Sequence, residues 1–290
     1  MIFGVVGDVH GDFDALQRAM ERHAGAAFWL SVGDLASDDK RYPRPVAPLY
    51  WIQGNNEDFE FIATGLASGG RTGVGGAPAN LHFLPNGTRS AMERVVVAAL
   101  GGTFAPTWYH TPAAELPFPA VGAANGPRHW HPSAPPPQRG CRVGDPGAAA
   151  PGAPPFRQGD EAERGVGPPR ARSLAGYGGP RHSRDDKRRH FVLEQVEALK
   201  ALHHVDVLLT HEAPRPFIVQ AGHRRLDAGK TVINELLAAL HPRLHFFGHH
   251  HRYSDAVRDP VRSIGLDLVS RSYVLVDSGS FEMTKVDAEA

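Results

Sequence analysis

The sequence predicts an α/β fold that combines parallel strands with antiparallel hairpins. In its N-terminal part, short apolar runs that stop at glycine alternate with stretches of helical periodicity, a pattern typical of strands covered by helices on both faces. Further along, Asn86-Gly87 separates the apolar runs 81–84 and 94–100, and an Asn-Gly pair in that position is typical of a hairpin turn. Both kinds of strand connection are therefore expected in one fold.

Each predicted element rests on a local pattern of apolar residues. Strands are predicted where a short apolar run stops at a loop residue, at 2–7, 27–32, 49–53, 81–84, 94–100, 205–210, 244–247 and 272–276. Helices are predicted from apolar residues at helical spacing, at 12–23, 186–204 and 231–240. The second helix is expected to start at Asp185-Asp186, because aspartate can cap a helix N-terminus.

The segment 107–186 differs in composition from the rest of the chain. It is rich in proline, glycine, alanine and arginine, has few large aliphatic residues and shows no sustained period. A segment of this length and composition within a compact domain is typical of disorder. We therefore predict one domain formed by residues 1–106 and 187–290, with 107–186 as a disordered insertion.

Composition narrows the classes of function. The chain has 290 residues with 31 basic and 31 acidic side chains, so its zero formal net charge argues against a general polyanion binder. Cys141 is the single cysteine, which excludes an intrachain disulfide framework and disfavours a cysteine-based zinc site. The sequence shows no signal-peptide or membrane-spanning pattern, so we expect a cytoplasmic protein with no membrane partner.

The motifs that can support chemistry lie at strand ends. Five predicted strands each end at a small residue that is followed directly by a side chain of a type that binds metals. The segments are Gly7-Asp8-Val9-His10, Gly33-Asp34, Gly54-Asn55, Thr210-His211 and Gly248-His249-His250-His251. Because ligands in open α/β sheets bind beyond the carboxyl ends of the strands, we expect these loops to converge.

The types of ligand indicate metal-assisted hydrolysis. Imidazole nitrogens combined with carboxylate and amide oxygens suit Mn, Fe, Zn or Ni better than Ca or Mg alone. One carboxylate can bridge two ions, and two ions ~3.5–4 Å apart can hold a phosphoryl group and activate a bridging water for in-line attack. A phosphoester is therefore the substrate class that this set of ligands favours.

The order of these motifs resembles that of the calcineurin-like metallophosphoesterase family. The segments DVH, GD, GNNE, LLTHEAP and GHHH follow one another as the family's DxH, GD, GNH[ED], H and GHxH motifs do, over residues 1–106 and 187–290. The resemblance implies a four-layer α/β/β/α sandwich with two mixed sheets. It also implies a hydrolase that uses a dinuclear metal centre.

Seven ligands follow from the same resemblance. It implies that one metal ion is held by Asp8, His10, Asp34 and His251. It implies that a second ion is held by Asp34, Asn55, His211 and His249, so that Asp34 bridges the pair. The implied cofactors are two divalent ions, with manganese favoured.

One position departs from the family pattern. Asn56 stands where the family usually has a histidine that contacts the phosphate and helps to protonate the leaving group. An amide donates hydrogen bonds but cannot transfer a proton at neutral pH. General acid catalysis typically raises the reaction rate by about 10²–10⁴-fold. The predicted catalytic residues are therefore Asp34, Asn56 and His250, with His250 facing away from the metal side as the candidate replacement acid.

Three residues are candidates for contacting the substrate, and for two of them a role without substrate is the alternative. Asn56, Arg215 and Tyr109 are the candidates for binding the substrate, while core packing is the alternative for Tyr109 and simple solvation is the alternative for Arg215. Glu57 is predicted to stabilise the start of the following helix through its charge.

The predicted function is a phosphodiesterase that acts on a small phosphoester. One alternative is a nucleotide or RNA phosphodiesterase similar to the lariat-debranching enzymes, although the chain shows no basic-aromatic surface of the kind that binds nucleic acid. A second alternative is a non-catalytic scaffold with the same fold, which the substitution at Asn56 keeps open. A scaffold would need no metal and would show no turnover.

Overall fold

Two six-stranded sheets form the centre of the structure, which is a computed structural model. It describes residues 1–67, 78–115, 186–258 and 260–288, all within one compact unit. The strands of the first sheet are β1 (Ile2–Val6), β2 (Trp29–Ser31), β3 (Leu49–Trp51), β4 (Leu81–Phe83), β13 (Ser272–Asp277) and β14 (Met283–Asp287). Their order across the sheet is β14-β13-β1-β2-β3-β4. Strands β1 to β4 are parallel, whereas β13 and β14 are antiparallel to their neighbours.

The second sheet is also mixed. Its strands are β5 (Thr88–Met92), β6 (Val95–Leu100), β7 (Val207–Thr210), β10 (Leu244–Phe247), β11 (Ser254–Arg258) and β12 (Val261–Gly265). Their order is β11-β12-β10-β7-β6-β5, with β6, β7, β10 and β12 parallel and the two edge strands antiparallel. A separate hairpin is formed by β8 (Ile218–Ala221) and β9 (Arg224–Asp227).

Helices cover the outer face of each sheet. They are α1 (Phe13–Arg22), α2 (Phe59–Ala67), α3 (Leu193–Lys200) and α4 (Thr231–Leu240). Leu16 of α1 and Ile62 of α2 pack in one cluster with the outer face of the first sheet. Leu199 of α3 and Leu236 of α4 pack in another with the second sheet. A third apolar cluster joins the two inner faces. The predicted α/β/β/α sandwich with two mixed sheets is therefore confirmed.

Helix α1 illustrates how the local sequence determines where a helix begins and which face it buries. Asp12 precedes the helix, and its side chain accepts a hydrogen bond from the backbone N–H of Ala15, as an N-cap does. Leu16 and Met20 lie one turn apart and are both buried. The helix therefore begins just after β1 and holds the loop between them over the end of the sheet.

The helix predicted over 186–204 is wrong in its extent. Asp186 does cap a helical turn, but that turn is a short 3-10 helix over Lys187–Arg189. Two backbone hydrogen bonds with Thr103 then draw the chain into an extended conformation, one to the carbonyl of Arg189 and one from the N–H of Phe191. The α-helix starts only at Leu193 and stops at Lys200. The hairpin of β8 and β9 was likewise not predicted.

The predicted insertion 107–186 falls mainly outside the described residues. Within the described part, Tyr109 accepts a backbone hydrogen bond from Leu193 at 2.7 Å, and Glu194 accepts one from the N–H of Ala113 at 3.1 Å. Residues 116–185 lie outside the description. None of the helices in the described ranges has both the length and the apolar character needed to cross a membrane.

Leu30→Ala should lower the free energy of unfolding by about 2–5 kcal/mol, because Leu30 is fully buried between the sheets and its truncation leaves a cavity. Urea unfolding followed by circular dichroism measures the change. The matched control is Leu226→Ala in β9, where the residue is 50% exposed and a change within about 0.5 kcal/mol is expected. Equal losses in the two variants would contradict the core position of Leu30.

Candidate metal centre

The seven predicted ligands meet at the carboxyl ends of five strands. Loops that leave β1, β2 and β3 of the first sheet carry Asp8, His10, Asp34 and Asn55. Loops that leave β7 and β10 of the second sheet carry His211, His249 and His251. The convergence expected from strand-end placement is therefore observed in the structure.

The first ligand group consists of Asp8, His10 and His251, whose donor atoms all lie within 4.8 Å of one another. His251 Nε2 is 3.0 Å from Asp8 Oδ2 and 3.0 Å from His10 Nε2. His10 Nε2 is also 3.9 Å from Asp8 Oδ2. The group thus joins a loop of each sheet.

The second ligand group consists of Asp34, His211 and His249, again with donor atoms within 4.8 Å of one another. His211 Nε2 is 3.7 Å from Asp34 Oδ2 and 3.1 Å from Asn55 Oδ1. The two groups are neighbours, since His10 Nε2 of the first is 3.6 Å from the same Oδ2 of Asp34.

The orientation of His211 tests whether this donor set fits a cation. Its Nδ1 lies 2.8 Å from the carbonyl oxygen of Val32, which can only accept, so Nδ1 must be the donor. In the neutral ring, Nε2 then presents a lone pair towards the oxygens of Asp34 and Asn55. Acceptors that face one another at such distances need a proton or a cation between them. The residues of the two groups therefore fit divalent ions that take nitrogen and oxygen ligands.

The pKa shifts of His211 and Asp8 also indicate that the site stabilises positive charge. Burial opposes a charge on His211, yet the carboxylates of Asp34 and Asp8 raise its pKa above the ordinary value. Burial also opposes ionisation of Asp8, but the hydrogen bond with His251 and the charge of His211 keep its pKa below the ordinary value. Burial and the charge of His211 lower the pKa of His249 to about 3, which leaves a neutral ring able to act as a ligand.

Four ligands have a left-handed backbone. The φ angles of His10, Asp34, His249 and His251 are 47°, 48°, 69° and 47°. For residues other than glycine this region costs roughly 1–2 kcal/mol each, and such strain is concentrated at functional sites. Hydrogen bonds hold two of these turns, from the N–H of His10 to the Asp34 carbonyl at 2.8 Å and from the N–H of His249 to Asp8 at 3.0 Å.

Two glycines leave room for the carboxylates. A Cβ atom at Gly54 would lie 2.0 Å from Asp34 Oδ1, and one at Gly248 would lie 2.2 Å from Asp8 Oδ1. Contacts that short are not tolerated, so any side chain at either position would displace a ligand. The glycines that precede the ligands in the sequence are thus explained by packing around the carboxylates.

The prediction that Glu57 stabilises the start of the following helix is wrong, and the structure gives this residue a different role. Its buried carboxylate accepts hydrogen bonds from the backbone N–H groups of Leu35 at 2.9 Å, Ala36 at 3.2 Å and Gly54 at 3.3 Å. Tyr42 also donates to it, at 3.0 Å. Asp58, and not Glu57, receives the first N–H groups of α2. Glu57 therefore ties the loop of Asp34 to the loop of Asn55.

Asn56 and His250 adjoin the ligand groups but are not part of them. The backbone N–H of Asn56 donates to Asp34 Oδ1 at 2.8 Å, while its side chain is exposed. The ring of His250 stacks on Phe217 at 4.8 Å. Burial and the charge of Lys230 lower the pKa of His250 to about 4, so the ring is neutral at pH 7.

The other two substrate candidates have partners within the protein. Tyr109 packs against Phe104 at 5.0 Å and Phe191 at 6.3 Å between ring centroids, which matches its core alternative. Arg215 Nε is 2.7 Å from Asp227 Oδ2. The basic residues that line a cavity beside Asn55 are instead Lys40, Arg188 and Arg189, which sequence reasoning missed because no motif marks them.

Glu57→Gln should weaken Mn²⁺ binding by about 10–100-fold, the usual effect of losing a residue that orients ligands from behind. The amide keeps the size of the side chain but cannot accept all three backbone N–H groups. Isothermal titration of metal-free protein measures the affinity. Glu21→Gln on the exposed face of α1 is the matched control, expected to bind Mn²⁺ as the unchanged protein does. Unaltered affinity in Glu57→Gln would contradict the ligand-positioning role of Glu57.

Comparison with known proteins gives one family match and several solved structures of similar fold. Residues 1–109 match the family model described as calcineurin-like phosphoesterase. No curated protein matches the chain in sequence. A solved crystal structure with 9% identity aligns over 99% of both chains with a TM-score of 0.57, a likeness of fold alone. The crystal structure of TT1561 from Thermus thermophilus, at 13% identity, aligns over 99% of both chains with a TM-score of 0.48.

The resemblance indicated by the order of motifs is therefore confirmed over residues 1–109, which match the calcineurin-like phosphoesterases, and the two mixed sheets agree with the sandwich that the resemblance implies.

Proposed function

We propose that the protein is a phosphodiesterase that uses a dinuclear metal centre to hydrolyse a small phosphoester. The observation that carries the proposal is the pair of adjacent ligand groups at the carboxyl ends of the strands. The family match supports a metal-dependent phosphoesterase. A scaffold would have no need to place buried carboxylates and histidines at these distances, because the arrangement costs folding free energy when no cation is bound.

The proposed ligand roles follow the two groups. Asp8, His10 and His251 hold one ion, and His211, His249 and Asn55 hold the other. Asp34 serves both, since its Oδ2 lies 3.6 Å from His10 Nε2 and 3.7 Å from His211 Nε2. When bound, two such ions lower the pKa of water and offset the charge of the phosphoryl oxygens. Manganese is the proposed metal, one of several that suit a donor set of imidazole nitrogens with carboxylate and amide oxygens.

Asn56 is the proposed substrate contact nearest the ligands. Its backbone is fixed to Asp34, and its exposed carboxamide can donate a hydrogen bond to a phosphoryl oxygen. It has no proton to transfer to a leaving group at neutral pH. His250 is the proposed partner of the leaving group, because its ring centroid lies 4.9 Å from that of the proposed ligand His249. Diesters with good leaving groups are therefore the favoured substrates.

Asp34→Asn should lower kcat/KM for bis-p-nitrophenyl phosphate by at least about 100-fold in the presence of Mn²⁺, because the shared ligand loses its charge. Release of p-nitrophenolate measures the rate. Removal of metal with a chelator should abolish the activity of the unchanged protein, and Mn²⁺ should restore it.

The matched control is Asp14→Asn, which removes an exposed carboxylate from the first turn of α1 and should leave the rate unchanged. Hydrolysis that survives the chelator, or that is equal in the Asp34 and Asp14 variants, would contradict the proposed function. No turnover together with no bound metal would favour the scaffold.

A further inference from the structure

A cavity of about 520 Å³ lies beside the second ligand group. Its wall includes Asn55 and Asn56 on the side of the ligands, and it also includes Lys40, Arg188 and Arg189. Cavities of this size take small-molecule ligands. A phosphoester whose reacting group lies at the ligand groups therefore has room to extend past Asn55 into the cavity.

The formal charge of the wall does not identify the occupant, because Glu57, Asp58, Glu60 and Asp186 line the cavity together with the three basic residues. Each of these carboxylates already has partners within the protein. Glu57 is 2% exposed and is directed at the backbone N–H groups described above, and Asp58 accepts the first N–H groups of α2 at 3.0 Å, where the helix dipole offsets part of its charge. Glu60 and Asp186 both pair with Arg188, at 2.6 and 2.7 Å. Arg188 is thereby neutralised as well.

Arg189 differs from its neighbour. Among the residues that the structure describes, its guanidinium has no carboxylate within ion-pairing distance, and its Nε is buried without an acceptor. Its backbone is nevertheless fixed, because its carbonyl accepts the N–H of Thr103 at 2.9 Å. A buried N–H without an acceptor costs free energy. The arginine is thus held on a rigid segment with unused hydrogen-bonding capacity.

Lys40 supplies a second positive charge on the same wall. Its Nζ lies 3.3 Å from the carbonyl oxygen of Asn56 and 3.2 Å from that of Glu57. Both acceptors are neutral, so in the described part of the chain the ammonium has no carboxylate to balance it. Lys40 and Arg189 are therefore the two cations of this wall without a carboxylate partner among the described residues, whereas Glu57 and Asp58 already accept hydrogen bonds from backbone N–H groups.

We propose that this cavity is an anion subsite that receives a second phosphate group of the substrate, remote from the ester that is hydrolysed. Arg189 is its specificity-determining contact, because a planar guanidinium matches phosphate in a bidentate way, and Lys40 adds its charge. The proposal rests on the proposed function for the position of the reacting ester. The substrate class is a small phosphodiester that carries an additional phosphomonoester.

Equilibrium binding tests the subsite without any turnover. The probes are thymidine 3′,5′-bisphosphate and thymidine 5′-monophosphate, which differ by one phosphate, titrated into the full-length protein loaded with Mn²⁺. The unchanged protein should bind the bisphosphate about tenfold more tightly, the gain expected for one charge-assisted contact. Arg189→Gln should remove this preference and Arg189→Lys should keep part of it. Lys187→Gln is the control, since Lys187 lies over the ring of Trp108 and not on the cavity wall.

Equal affinity of the unchanged protein for the two probes, or a preference that survives Arg189→Gln, would overturn the subsite. Thermal melting followed by circular dichroism is the check that the Arg189→Gln variant is folded. The same two assays distinguish a failure of the proposed function from a failure of the subsite. A protein that prefers the bisphosphate through Arg189 but does not hydrolyse bis-p-nitrophenyl phosphate retains the subsite and loses the proposed diesterase activity.

Discussion

The carboxylate of Asp34 is the point at which the two halves of the site are joined. Its Oδ2 lies between His10 of the first sheet and His211 of the second, at 3.6 and 3.7 Å. Its Oδ1 accepts the N–H of Asn56, and its backbone carbonyl accepts the N–H groups of Val9 and His10. Movement of this one residue would therefore disturb the loops of β1, β2 and β3 together, and with them most of the ligand set.

The rest of the fold offsets the free-energy cost of this arrangement. Asp8 and Asp34 are 1% and 2% exposed, and burying a carboxylate without a compensating charge is costly. Left-handed turns at His249 and three other ligands add strain. The apolar cluster between the sheets holds the strand ends in place, while Glu57 ties adjacent loops from behind. Binding of cations would then relieve electrostatic costs that the protein alone leaves in place.

The sequence predicts that the candidate ligands converge, because strand ends leave few choices for where these side chains lie. A parallel strand that ends at a small residue puts the next side chain at the edge of the sheet, so the positions of Asp8, Asn55 and His211 at strand ends could be predicted from local pattern. Features that depend on contacts distant in sequence were not predictable in this way. The backbone pairing of Thr103 with 189–191 shortens the predicted helix, and the carboxylate of Glu57 serves backbone groups 21 and 22 residues away. The unbalanced charge of Arg189 likewise emerges only when its neighbours are known.

We propose that Asp34 is shared by two ions. Electron paramagnetic resonance of the protein loaded with Mn²⁺, together with the measured metal content, tests it most directly. Two ions bridged at about 3.5–4 Å are magnetically coupled, so we expect two equivalents of manganese per chain and the spectrum of a coupled pair. One equivalent, or two equivalents with the spectrum of isolated ions, would contradict a shared carboxylate and the dinuclear centre built around it.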